Sequence, residues 1–349
     1  MKALFLGLGG VGQRHLRNLL QIQPDVELGA IRHGDRAFEI GYDLQPDYDV
    51  DIMEKYNITR LSSMDEAIDW WPDYAVISSP TSKHMEQATA LVKAGIPVFV
   101  EKPISHSLEG VAELIDIAED MDVPVMIGYM FRFHPGVKRF MKLVKQQAAG
   151  PILSGHIQLH SFMPAWHSYE KHDEFYAGRK DLGGGAVLSE IHEIDLLAAM
   201  LGLPEQLLAC GGSLSSLNMD VEDTASAILS YRHENKALPV TLNMCFVQRP
   251  PARIITFYCE NGYIRWSGMD SIVELVDEAN GKHEREDFSS FDRNEMFIAE
   301  LRHFVQCIQN GKKPMSSLDE TSVGHQLAMG IKHSMETGEA VLMADPESE

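Results

Sequence analysis

Residues 7–12 read Gly-Leu-Gly-Gly-Val-Gly, a GxGxxG, directly behind the short apolar run KALFL at 2–6. Alone the pattern is weak, because any glycine-rich turn can produce it. Its setting gives it force: residues 2–6 read as a buried strand and Val11 to Leu20 as a helix. At such a turn Gly7 permits the tight bend, Gly9 lets a pyrophosphate approach the backbone, and Gly12 lets helix and strand pack closely. Gly10 and Val11 then open a helix whose free N–H groups and positive dipole end face the phosphates.

The rest of the first third keeps the same rhythm. Strand-like runs fall at 26–32, 75–78, 98–100 and 123–128, and helical stretches at 64–71, 83–94 and 107–120. Strands alternating with helices of this length predict βαβ units, a parallel sheet and right-handed crossovers, hence a doubly wound Rossmann sheet. Residues 33–50 are polar and show no clear period. Beyond 150 the pattern changes: a longer strand at 152–162, one helix over 186–201, and strand-like runs at 224–231, 239–247, 253–258 and 271–276. These predict a second sheet of antiparallel type, closed by helices at 293–310 and 319–337. The 349 residues are therefore expected to divide into a dinucleotide-binding domain, 1–125, and a larger α/β domain, 126–349, that carries the second sheet.

Composition narrows the partners. Acids outnumber bases by 51 to 30, a formal charge of −21, which disfavours nucleic acid and anionic membranes as partners. No apolar run approaches a membrane span, and the glycine-rich start lacks a small-residue cleavage site, so it is not read as a signal peptide. Four cysteines, at 210, 245, 259 and 307, form no CxxC and suit a reducing cytoplasm. His167 and His172 have no carboxylate or cysteine at ligand spacing, so no metal is expected.

Three further segments carry chemistry. The ribose-binding acid expected about 20 residues after the glycines is absent, because Gly12 plus 20 is Arg32. An Arg there would pair with a 2′-phosphate and favours NADP over NAD; the alternative is a solvated Arg32 with Asp35 serving the ribose. Ser79-Pro80-Thr81-Ser82-Lys83-His84 follows the strand at 75–78 and so faces the ligand crevice, while Thr81 also reads as an N-cap for 83–94. Glu101-Lys102-Pro103 follows the strand at 98–100, and Pro103 biases Lys102 towards an extended conformation at the rim of the sheet.

Taken in order, GLGGVG at 7–12, SSPTSKH at 78–84, AGIPVFVEKP at 94–103, GYMFRFHP at 128–135, GGGAVLSEIHEID at 183–195 and FDRNEMFIAELRHFVQCI at 291–308 resemble the Gfo/Idh/MocA oxidoreductases. RKDLGGG at 179–185 followed by HEID at 192–195 is similar to members from bacterial surface-sugar and sialic-acid-like pathways. The resemblance implies a Rossmann domain and an α/β domain with a large open, mostly antiparallel sheet that often makes dimer or tetramer contacts. It also implies a nicotinamide cofactor and a sugar, cyclitol or sugar-nucleotide substrate. By the same resemblance the catalytic Lys is Lys102, a cofactor-contacting Arg is Arg132, and the active-site His is His192. Glu101 goes with the cofactor loop.

The resemblance has one departure. The carboxylate that many members carry four positions after the glycines is Ser189 here. In a regular helix Ser189, His192 and Asp195 share a stripe, making Asp195 the expected partner of His192, while Glu190 and Glu193 read as solvated or subunit-facing. The stretch 163–182, with Trp166, Tyr169, Tyr176, Arg179 and Lys180, is a long loop of aromatics and cations. It reads either as a sugar-stacking segment, with Arg179 and Lys180 contacting an anionic group, or as an ordered interface loop. The function expected is hydride transfer between NADP and a sugar-like secondary alcohol, with His192 as base and Lys102 steadying the oxygen. Two others stay open: bound-NAD lyase or glycosidase chemistry within the family, and a non-enzymatic nucleotide or sugar sensor.

Overall fold

The computed structural model describes residues 1–32, 38–167, 169–233 and 236–343. The chain begins β1 (Lys2–Leu6), α1 (Gly10–Ile22), β2 (Glu27–Ile31), β3 (Phe38–Ile40), β4 (Pro46–Asp51), α2 (Ile52–Lys55), β5 (Thr59–Leu61), α3 (Met64–Asp69), β6 (Tyr74–Ile77), α4 (His84–Lys93), β7 (Val98–Glu101), α5 (Val111–Asp120), β8 (Val125–Gly128) and α6 (Pro135–Lys145). It continues β9 (Ile152–Phe162), α7 (Ala186–Ser189), α8 (His192–Leu201), β10 (Gln206–Gly212), β11 (Thr224–His233), β12 (Lys236–Cys245), β13 (Val247–Cys259), β14 (Gly262–Ser267), β15 (Ile272–Asp277), β16 (Lys282–Asp287), α9 (Arg293–Asn310), α10 (Leu318–Thr337) and β17 (Val341–Leu342). Among the described residues no helix is long and apolar enough to cross a membrane.

The first sheet runs β5-β2-β1-β6-β7-β8, every pair parallel. Its strands read as continuous apolar runs because both faces are covered: β6, β7 and β8 are buried at every position. The order reverses between β1 and β6, and there the crevice outside the carboxyl ends receives ligands in such sheets. The Rossmann expectation is met.

The second sheet runs β16-β15-β14-β13-β9-β12-β11-β10-β17. Only β12 and β9 pair in parallel; the other neighbours are antiparallel. Alternate residues such as Ile157, Leu242, Ile255 and Trp266 are buried on its inner face. The ring of Phe140, on α6, stacks there on Phe257 at 6.0 Å. On the outer face Leu208 pairs with Ile228, Ile228 with Thr241 and Thr241 with His156, forming one cross-strand row.

Three elements depart from the sequence reading. Residues 38–51 are not irregular: β3 and β4 form an antiparallel ribbon. Gln13 holds it, taking the Ile40 N–H at 2.7 Å and donating to the Phe38 carbonyl at 3.1 Å. The ribbon is short and acidic, so it shows no apolar period. α6 has no counterpart among the expected elements; His134 caps it, accepting from Gly136 N at 3.1 Å, and Pro135 begins it. The single helix expected over 186–201 is two, α7 and α8, separated at Glu190–Ile191.

The last two helices return to the first sheet. Ile127 N donates to the Ser316 carbonyl and Ser316 Oγ to the Ile127 carbonyl, both at 2.9 Å, just before α10. α9 lies along α1, where Asn18 and Asn294 exchange amide hydrogen bonds of 3.3 and 2.9 Å.

Candidate active site

The glycine turn joins β1 to α1. Gly7 has φ +96°, and a Cβ there would stand 2.7 Å from Ser79 N, inside the loop after β6. A Cβ on Gly12 would stand 2.5 Å from both the Gly7 carbonyl oxygen and Ser78 Oγ. Gly9 differs: among the described residues nothing lies within 4 Å of its Cβ position and no side chain caps the helix that follows. Open space beside uncapped N–H groups at the head of a 13-residue helix fits a dinucleotide pyrophosphate. Arg32 lies just past β2, where burial lowers its pKa; Asp51 opposes that shift and Arg60 adds to it. Its Nη1 is buried without a hydrogen-bond partner among the described residues. Asp35, the alternative ribose partner, lies outside the described residues.

The loops after β6 and β7 are stapled together. His84 contacts the Pro103 and Ser79 carbonyls, each at 2.8 Å, one through each ring nitrogen. Ser79 Oγ donates to Gln87 Oε1 at 2.7 Å. Thr81 caps nothing: residues 81–83, which follow Pro80, form a separate 3-10 turn before α4, and the Thr81 side chain lies buried near Gly183. Glu101 turns inward. One oxygen meets His15 Nε2 at 2.6 Å, and the other accepts the Lys102 backbone N–H at 3.2 Å. Glu300 joins them, with the three donor atoms within 4.8 Å of one another. The direct His15–Glu101 contact is that of a hydrogen bond, since ligands around one ion stand roughly 3 Å or more apart.

Beyond Lys102 comes the second half of the chain. Lys102 Nζ donates to the Ser189 carbonyl at 2.5 Å. Ser189 ends α7, and at the break before α8 backbone carbonyls lose helical donors. His192 opens α8, with its ring edge-on to Phe131 at 5.1 Å and to Tyr129 at 5.9 Å. Neither of its ring nitrogens has a hydrogen-bond partner among the described residues. Burial first, then the charges of Lys102, Arg253 and Arg293, hold its pKa well below 6.5, so the ring is neutral at neutral pH.

Asp195 shares α8 with His192 but does not pair with it. Its two oxygens accept from Arg132 Nε and Nη2, both at 2.8 Å, and Arg132 Nη1 bonds Glu320. Arg132, expected at the cofactor, thus has donors on all three nitrogens committed to protein carboxylates. Glu190 and Glu193 are not solvated: both are buried and both face Arg253, at 3.1 and 2.8 Å. Burial pushes Glu193 up to about 7. The Arg253 guanidinium lies 4.4 Å over the Phe131 ring, beside His192. Sequence reading missed Arg253 because its acids lie on the other side of the sheet's turn into α8, 60 or so residues earlier.

Arg179 and Lys180 precede Gly183, whose Cβ position stands 2.9 Å from Thr81 Cβ in the loop after β6. Arg179 pairs with Asp181 at the surface, and the Lys180 backbone N–H donates to Asp220 at 2.7 Å. In the 163–182 stretch the aromatics pack on one another: His167 on Phe175 at 4.5 Å, Phe175 on Tyr176 at 4.6 Å, Trp166 on Phe246 at 5.3 Å. Tyr169 packs on His167 at 5.1 Å and also reaches the first half of the chain: its hydroxyl stands 2.6 Å from the Cβ position of Gly10 and 3.1 Å from His167 Nδ1. A loop of the second half therefore lies on the glycine turn of the first.

Known proteins resemble this chain in sequence and in fold. Residues 1–129 match a family model described as an oxidoreductase family with an NAD-binding Rossmann fold, and residues 137–265 match a GFO/IDH/MocA C-terminal domain. A 2,7-anhydro-N-acetylneuraminate hydratase of Escherichia coli is 27% identical over 172 residues, 49% of this chain and 45% of that protein. The chain thus matches about half the length of that relative. A myo-inositol 2-dehydrogenase of Thermotoga maritima is 24% identical over 352 residues, 99% of each chain. In three dimensions the WlbA dehydrogenase of Bordetella pertussis, solved with NADH and UDP-GlcNAcA, superposes with a TM-score of 0.79 at 18% identity, covering 99% of this chain and 98% of that one.

Proposed function

The chain belongs to the Gfo/Idh/MocA oxidoreductases, and from that premise we propose that it transfers a hydride between a nicotinamide dinucleotide and a CH–OH or keto carbon of a sugar or cyclitol. The observation that carries this reading is the meeting of Lys102 Nζ with the α7–α8 break, three residues before a neutral, unpartnered His192. Lys102 directly follows the carboxyl end of β7, the edge at which such sheets receive ligands. In this reading residues 1–125 hold the dinucleotide and 126–349 supply the substrate face.

The nicotinamide, when bound, gives or accepts the hydride. Gly7, Gly9, Gly10, Val11 and Gly12 receive the pyrophosphate, with Ser79, Pro80 and Thr81 along its far side. Lys102 donates a hydrogen bond to the substrate oxygen and stabilises negative charge that develops there. His192 takes the hydroxyl proton in oxidation and returns it in reduction, its neutral ring leaving one nitrogen free to accept. Glu101 is a positioning residue, since its carboxylate fixes the backbone N–H of Lys102. Asp195 positions α8 through Arg132. At the adenosine end Arg32, with Arg60 near it, favours a 2′-phosphate and so NADP(H) over NAD(H). The outer face of the second sheet, with Leu208 and Ile228 exposed, is the surface we assign to self-association as a dimer or tetramer. A reducing compartment such as the cytoplasm suits four unpaired cysteines.

The test is Lys102→Met, assayed for turnover and for cofactor binding by fluorescence titration with NADPH and NADH side by side. Turnover should fall roughly 100-fold or more while cofactor affinity holds, and NADPH should bind more tightly. Unchanged turnover would remove Lys102 from the chemistry, and preference for NADH would remove Arg32 from the 2′-position. A second reading keeps the dinucleotide bound and uses transient oxidation for elimination or hydration. The Tyr169 loop on the glycine turn favours it. A nicotinamide absorbance band that survives purification, with no net reduction of added cofactor, would select that reading.

A further inference from the structure

We propose that Arg253 is a positioning residue for His192: it grips the chain on both sides of the histidine through Glu190 and Glu193, braces the ring of Phe131 against it, and so sets where the imidazole points while leaving its nitrogens free. The proposal rests on the reading above for what His192 does, and on the packing around it for what holds it.

A base that acts on a hydroxyl has to be aimed, and a histidine is ordinarily aimed by a hydrogen bond to its second nitrogen. His192 has no such bond among the described residues. It is held by ring edges, Phe131 at 5.1 Å and Tyr129 at 5.9 Å. Phe131 is held in turn: Trp266 meets its ring edge-on at 5.6 Å, and the Arg253 guanidinium lies 4.4 Å from its centroid. The same guanidinium reaches back to the segment that carries His192. Its Nη2 donates to Glu190 Oε2 at 3.1 Å, and its Nε stands 2.8 Å from Glu193 Oε1. Glu190 lies in the α7–α8 break, next to the Ser189 carbonyl that holds Lys102, and Glu193 lies in the first turn of α8. One side chain thus touches residues before and after His192 and the ring on which His192 leans.

The fold makes room for it. Arg253 follows the irregular stretch of β13 between Val247 and Ala252 and pairs with the buried Leu159, so it points to the inner face. Its stem runs past Gly268, where a Cβ would stand 2.7 Å from Arg253 Cγ and Cδ. Enclosing three charges costs more than packing apolar side chains of the same volume, so such a cluster adds little to stability. What it adds is direction, because the guanidinium fork meets carboxylates only along its N–H bonds. It also sets the charge at the ring. The charged groups there are Lys102 after β7, Arg253 on β13 and Arg293 on α9, with Glu190 and Glu193 on the histidine's own segment; after burial, the three cations lower its pKa. Removing Arg253 frees the ring and leaves two acids unanswered, so the imidazole takes a proton at higher pH.

The experiment is NMR on the full-length protein with labelled histidine and phenylalanine, titrated from about pH 8 to about pH 5. The His192 and Phe131 signals are assigned by their loss in His192→Gln and Phe131→Leu. In the parent the His192 ring should stay neutral throughout and show a through-space contact to the Phe131 ring. Arg253→Met should raise its titration by about one pH unit or more and weaken that contact. Arg253→Lys keeps a charge over Phe131 but answers one acid at a time, and should bring the titration back towards the parent. Arg253→Gln combined with Glu193→Gln removes the unanswered pair of acids, serves where Arg253→Met fails to fold, and should show the same rise. Titration and contact unchanged from the parent in these charge-removing variants overturn the proposal. So does a shift of equal size in Arg253→Met and Arg253→Lys, which makes Arg253 a packing element only, or a parent ring that titrates near 6.5. No substrate enters these measurements. A protein that oxidises no sugar or cyclitol therefore defeats the dehydrogenase reading and leaves the placement of His192 by Arg253 standing. A loss of turnover in Lys102→Met, beside a His192 indifferent to Arg253, defeats this proposal alone.

Discussion

Glu300 is fully buried, and among the described residues neither of its carboxylate oxygens has a hydrogen-bond partner. Burial, then the neighbouring Glu101, raises its pKa well above 4.5. His15 and Lys102 hold Glu101 itself below its ordinary range, so the proton of this pair resides on Glu300. The sign for stability follows. The unfolded chain gives up this proton near 4.5 and the folded chain keeps it, so stability falls as pH rises from 4.5 towards the folded value. Glu300→Gln, neutral at every pH, should therefore melt a few degrees above the parent at pH 8, with the gap closing as pH falls towards 4.5. Melting curves across that range check it, and a gap independent of pH would mean Glu300 is ionised in the fold. At this scale the sequence marks Lys102 and His192 because each sits in a local pattern, EKP and the run after three glycines. It does not mark Arg253, Arg293 or Glu300, whose neighbours come from helices and strands remote along the chain. Nor does it reveal that Asp195 serves Arg132, because helix periodicity places two residues on one face without saying what else faces them.

Among elements, the strand-turn-helix opening was legible because glycine spacing, strand and helix all demand the same geometry. The structure sharpens this into a contrast between two glycines. Gly12→Ala drives a methyl group to 2.5 Å from the Gly7 carbonyl and Ser78 Oγ, so it should destabilise the fold by about 1–3 kcal/mol and weaken cofactor binding. Gly9→Ala meets no atom within 4 Å, so melting should be unchanged while dinucleotide affinity falls, because the methyl group enters the space kept for the pyrophosphate. Thermal melts beside fluorescence titrations read both effects; equal loss of stability in the two variants would contradict the assignment of that space. The α7–α8 break was not legible. AVLSEIHEID is apolar enough to run on as one helix, and the turn at Glu190–Ile191 arises from long-range contacts: Glu190 bonds Ser161 and Arg253. Lys102 finds its carbonyl at that interruption. The β3–β4 ribbon escaped for the opposite reason, being held by Gln13 and Arg17 of α1 rather than by an apolar face of its own.

At the scale of the molecule, the last two helices return from the second sheet to the first. α9 lies on α1, and the Ser316–Ile127 bonds tie the start of α10 to the edge of the first sheet. Calorimetry should accordingly show one cooperative unfolding transition, and two separate transitions would show that these returns contribute little. The alternation of strands and helices predicts both sheets, but the return of the last helices leaves no mark in periodicity, which records each helix's apolar face and not the surface it meets. The hydroxyl of Tyr169 rests at Gly10, so a loop built on the second sheet closes the door of the first. If the dinucleotide seats at the glycine turn as proposed, its path in lies beneath that loop. Turnover on such a surface is expected to be sequential and compulsory in order, dinucleotide first on and last off, with product inhibition by the dinucleotide competitive only against itself.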